Sequence, residues 1–153
     1  MSSVQSEKRT AKLPTVARVV LGLVFVVFGL NGFLHFLPQP PAPPRAMAFF
    51  GGLMSAGYFL PLLKGTEVAA GALLLAGFVP IALTLLAPII VNITAFHLFL
   101  SPGNYAVVGL ILAAEIYLAY VHRAAFAPLF TRRRIEAASR ESVPFEMAPR
   151  RAA

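Results

Sequence analysis

The chain has 153 residues, of which 58% are hydrophobic and only 12% charged, with no cysteine and no tryptophan. That composition excludes a disordered chain, which needs low hydrophobicity, and a disulfide-stapled secreted module, which needs cysteines. Thirteen basic residues against six acidic ones give a formal charge of +7, on a chain whose mean hydropathy is +0.77.

Charge and apolarity occupy different stretches. Lys8, Arg9, Lys12 and Arg18 precede the first apolar run, and Arg123, Arg132, Arg133, Arg134, Arg140, Arg150 and Arg151 follow the last; only Arg45 and Lys64 lie between. A nucleic-acid footprint would carry aromatic or Gly-rich reader motifs, and none accompanies these residues, so nucleic acid is not an expected partner. The expected partner is a lipid bilayer. Basic tails are retained on the cytoplasmic side of a membrane, and two tails on one side require an even number of spans. The expected organisation is a cytoplasmic tail over 1–17, a four-span domain over 18–122, and a basic tail over 123–153 expected to be disordered.

Crossing a hydrocarbon core takes about 20 apolar residues in a helix. The first run, 19–37, ends at Pro38-Gln39-Pro40-Pro41-Ala42-Pro43-Pro44, where missing N–H donors and fixed φ forbid helix. Residues 45–58, punctuated by Gly51, Gly52 and Gly57, read as a short interfacial or re-entrant helix. A second span is expected over 59–77, followed by a turn at Gly77-Phe78-Val79-Pro80. The third covers 81–100 with a kink near Pro88. Ser101-Pro102-Gly103-Asn104 turns the chain into a fourth span over 105–122. A cleavable signal peptide competes for the first run, but the run is too long for one, carries Asn31 and His35, and ends in the proline connector. The predicted class is therefore all-α, an integral membrane four-helix bundle with a short helix before the second span.

Seven polar residues interrupt the spans: Asn31, His35, Lys64, Glu67, Asn92, His97 and Glu115. Ionisable groups at membrane depth face a bundle interior or a cavity and mark function by default. With the first and third helices rising from Arg18 and Pro80, Asn31 lies about 20 Å up, His35 and His97 about 25 Å, and Asn92 about 18 Å. With the second and fourth descending, Glu67 lies about 20 Å and Glu115 about 15 Å above the inner face. Asn31 and His35 share a helix face, and Lys64 and Glu67 at i, i+3 are placed to pair. Asn92 and His97 lie about 140° apart around an ideal helix, so both cannot face one centre without a local rotation. The alternative is that these groups only hydrogen-bond between helices, with Gly22, Gly29, Gly32, Gly65, Ala69, Gly71, Ala72 and Ala76 permitting close approach.

A dinuclear carboxylate site wants Glu-x-x-His on two helices, whereas Glu67 and Glu115 are followed three residues on by Ala70 and Leu118. A b-type haem wants two histidines at matched depth, and His35 with His97 meets that condition alone. No thiolate set exists for c-type haem or an iron–sulfur centre. A quinone fits the chemistry better: it partitions into the bilayer, its carbonyls accept from His or Asn, and carboxylates exchange protons. No metal site is expected.

Around these residues the chain resembles the DoxX family of small bacterial membrane proteins. The resemblance covers about residues 16–130 and rests on Gly22-Leu23-x-Phe25-x-x-x-Gly29-x-Asn31-Gly32-Phe33-x-His35-Phe36 and on Gly57-Tyr58-Phe59-Leu60-Pro61-Leu62-Leu63-Lys64-Gly65-Thr66-Glu67. It continues through Ala87-Pro88-Ile89-Ile90-Val91-Asn92, Phe96-His97 and Glu115-Ile116-Tyr117. The resemblance implies a four-helix bundle with a short helix before the second span, in the bacterial inner membrane. It also implies association with quinone-linked redox complexes and hence with other subunits. The expected function is that of a membrane subunit of such a system, the alternative being a non-enzymatic scaffold or assembly factor. Whether the chain itself catalyses a reaction is left open by its residues.

Overall fold

In the computed structural model, which describes residues 2–38 and 41–130, the described residues form six helices and no strand. They are α1 Ser2–Leu34, α2 Pro44–Ser55, α3 Phe59–Ala76, α4 Val79–Phe99, α5 Tyr105–Val121 and α6 Arg123–Phe130. Each apolar run becomes one helix because a helix pairs its backbone N–H and C=O groups internally and so needs no water.

The stops are chemical. The first helix ends at Leu34, three residues before the expected limit, because Asn31 closes it twice. Its carbonyl accepts the His35 N–H at 2.9 Å, and its Oδ1 accepts the Leu37 N–H at 2.6 Å. His35 sits there at φ 52°, the left-handed position more often filled by glycine. At the end of α3 Gly77 does fill it, at φ 95°, with the Gly77 N–H donating to Leu74 O and the Phe78 N–H to Leu73 O. Pro80 then falls in the first turn of α4, where its missing donor does no harm. Helix α4 continues through Pro88 to Phe99.

One expectation is corrected at the C-terminal side. The tail assigned as disordered from residue 123 begins with helix α6, bent by 74° from α5 at His122. Phe126 packs against the central core and holds this helix in place. The rest of that tail, from residue 131, lies outside the described residues, as do Gln39 and Pro40 of the connector.

Helix α1 packs on α3, α3 on α4, α4 on α5, and α5 back on α1, while α2 touches α3. The enclosed core is aliphatic apart from Phe25, with Leu21, Leu74, Leu83, Leu86, Ile90 and Leu118 almost fully buried. The outward surface is equally apolar: Leu62, Val91 and Leu110 are each more than 60% exposed. Three helical stretches, Lys12–Leu34, Phe59–Ala76 and Val79–Phe99, are long and apolar enough to cross a membrane. Helix α5, at 17 residues, reaches that standard only when α6 is counted with it, making up to four.

The α1–α3 pair is antiparallel and glycine-mediated. A Cβ on Gly22 would lie 3.1 Å from Gly71 O, and one on Gly71 would lie 2.8 Å from Gly22 O and 2.9 Å from Val26 N. One on Gly29 would meet Val68 and Glu67. Of the residues expected to permit close approach, Gly22, Gly29, Gly32 and Gly71 do so. Gly65 faces open space, and Ala69, Ala72 and Ala76 are exposed. These last four lie on the other sides of α3 from the α1 seam.

Arg18, read in the sequence as part of a charge signal, also has a structural task. Its Nη1 donates to Leu74 O at 2.9 Å and Leu75 O at 3.3 Å, covering the carbonyl end of α3. Arg18→Gln is expected to lower stability by about 1–2 kcal/mol, read as a lower unfolding midpoint of the detergent-solubilised protein.

Candidate functional site

The polar residues predicted to converge divide into groups with different local chemistry. The tightest is on α3. Lys64 Nζ donates to both Glu67 oxygens, at 3.0 and 2.9 Å, with the lysine side chain 28% exposed and the glutamate side chain 4%. Helical spacing i, i+3 brings the two together, and the absence of side chains on α1 makes room for them. A Cβ on Gly32 would collide with the Lys64 stem, its Cδ lying at 2.6 Å, and one on Gly29 would stand 3.1 Å from Glu67 Cβ. Two glycines one turn apart on α1 therefore floor the ion pair. Among the described residues it is the one salt bridge.

Asn31 is buried at 4% exposure, but its Oδ1 is engaged by the Leu37 N–H that ends α1. His35, the next residue on its face, is exposed. Asn92 is exposed on the outside of α4, whereas Ile89 and Ile90 just before it face the core. The helical phase that separates Asn92 from His97 in the sequence thus persists, and Pro88 does not bring Asn92 inward. His97 is half-buried, and its Nδ1 lies 2.9 Å from Ile93 O. Since a carbonyl can only accept, Nδ1 carries the proton and Nε2 is the ring nitrogen left for other partners.

Glu115 is the exception. It is 7% exposed on α5, and its Oε2 has no hydrogen-bond partner among the described residues. Buried polar atoms are almost always satisfied, and an orphaned carboxyl oxygen is among the most expensive exceptions.

A feature not anticipated from the sequence lies at the far end of α1. A half-open groove of about 270 Å³ is lined by Gly32, Phe33, His35, Leu53, Met54, Gly57, Leu60 and Pro61. Its walls are apolar except for one imidazole. Helix α2 supplies one side, and Gly57 at φ 70° turns the chain from that wall into α3. Phe96 on α4 packs against α2, its ring centroid 5.9 Å from Phe49 and 5.2 Å from Phe50. In the sequence, residues 45–58 read as a short interfacial or re-entrant helix, which gave no signal for this groove. Among the described residues no three His, Cys, Asp or Glu side chains come together as metal ligands.

No family model, no curated protein and no solved structure matches this chain.

Proposed function

We infer that the protein is a four-span bundle of a bacterial inner membrane, both termini cytoplasmic, serving as the membrane subunit of a quinone-linked redox system. The observation carrying this reading is the groove at the end of α1, apolar on all sides but for His35. A quinone would supply two-electron, two-proton chemistry in lipid-soluble form. Phe33, Leu53, Met54 and Leu60 would cover its ring, and a His35 ring N–H would donate to a carbonyl oxygen. Glu115 Oε2 is an atom at which a proton can be held inside the bundle. Electron donor and further subunits would come from partners in the membrane. The resemblance to the DoxX family supports the same reading.

The test is a titration of the purified protein with a short-chain quinone, following its unfolding temperature. A specific ligand at about a hundred times its Kd stabilises by about 2.7 kcal/mol. His35→Ala is expected to weaken binding about tenfold, the loss of one hydrogen bond in an apolar site. No shift with the unaltered protein would sink the proposal.

A scaffold role is favoured by a separate observation: Asn31 and Arg18 cap helix ends, and Glu67 is tied to Lys64. Under that reading quinone has no effect, while the substitutions that break these contacts still destabilise.

A further inference from the structure

We propose that α6 is an interfacial anchor that docks on anionic lipid headgroups at the end of the bundle carrying the basic tails. The placement follows from topology. The antiparallel α1–α3 seam puts Arg18 beside Leu74 at the carbonyl end of α3, and the short turns into α4 and α5 return the end of α5 to that same level. There the chain bends by 74°, so α6 runs nearly across the direction of the spans. A helix at the lipid–water boundary lies in this orientation.

Phe126, Leu129 and Phe130 stand at i, i+3 and i+4 and share a face. Phe126 packs against the core, while Leu129 is 73% and Phe130 86% exposed. The junction is fixed by Arg123, whose Nη1 donates to Tyr120 O at 3.0 Å and whose guanidinium lies 4.6 Å from the Tyr120 ring centroid.

The occupant is identified by charge. The sequence after Phe130 runs Thr131-Arg132-Arg133-Arg134, and no acidic residue occurs between Glu115 and Glu136. A second copy of the chain would bring the same positive charge to the same place, whereas an anionic leaflet complements it. Apolar side chains and an adjoining basic cluster are the two signals that together give stable interfacial binding.

The chain has no tryptophan, so Phe130→Trp provides a single indole, with Leu129→Trp as a second variant should the first fail to fold. The full chain is reconstituted in phosphatidylcholine vesicles, with or without phosphatidylglycerol. The expected result is an indole quenched by shallow brominated lipids and shielded from acrylamide in the anionic vesicles, and several-fold more accessible in the neutral ones. Each arginine near an anionic surface favours the bound state about fivefold. Replacing Arg132, Arg133 and Arg134 with glutamine should therefore erase the difference. Equal exposure to acrylamide in both lipids overturns the proposal, as does equal shielding in detergent and in both vesicles, which means a protein contact. The anchor rests on the membrane-spanning reading, and failure to enter either vesicle overturns that reading itself.

Discussion

Replacing Gly71 with leucine is expected to prevent α1 and α3 from docking and to abolish a monodisperse, cooperatively unfolding protein in detergent. The obstacle is backbone. A Cβ at Gly71 would already lie 2.8 Å from Gly22 O and 2.9 Å from Val26 N, and neither atom moves without the helix it belongs to. Gly71→Ala is expected to cost about 2–3 kcal/mol as the seam opens, and the larger side chain correspondingly more. Without water to drive helices together, close van der Waals packing of such seams carries much of the association. Gly65→Ala is the control: nothing lies within 4 Å of that position, six residues earlier on the same helix. It is expected to be neutral or to gain up to about 1 kcal/mol through helix propensity. Thermal unfolding of the three variants in one detergent reads the contrast.

The second large effect concerns the ion pair. Lys64→Met keeps most of the stem over Gly32 but leaves Glu67, 3% exposed, without its two hydrogen bonds. Stranding a buried charge in this way is expected to cost about 3–5 kcal/mol. Glu67→Gln, which retains an acceptor for Lys64, is expected to cost less, about 1–2 kcal/mol. The double variant Lys64→Met, Glu67→Leu should recover most of the loss, because two apolar side chains of similar volume leave no orphan behind. A double-mutant cycle on unfolding midpoints measures the coupling. A double variant as unstable as Lys64→Met alone would mean that the stem packing, not the charge, is what matters.

Helix limits were largely legible because punctuation residues mark them. The prolines before Pro44, Gly57, Gly77 and the Ser101-Pro102-Gly103-Asn104 turn each stop or start a helix where their backbone chemistry requires it. Which face of each helix turns inward was not legible. A helix in lipid is apolar all round, so the phase that distinguishes core from surface in a soluble protein is missing. The phase between Asn92 and His97 showed that both could not face one centre but not that Asn92 is the exposed one, and Gly65 looked equivalent to Gly71. The i, i+3 spacing of Lys64 and Glu67 was readable because that pairing is local. The groove was not, since its walls come from α1, α2 and α3 and exist only after those helices meet. His35 was singled out for its depth, and its place in the groove wall depends on the left-handed turn that Asn31 stabilises.

The brevity of α5 has a consequence for the surrounding lipid. Its 17 residues rise about 26 Å, while the 23 residues of Lys12–Leu34 rise about 34 Å, against a hydrocarbon thickness of about 30 Å. In a bilayer the ring of helices is therefore taller on the α1 side than on the α5 side. Lipid beside α5 would then have to thin to match it, at a modest free-energy cost per ångström of mismatch.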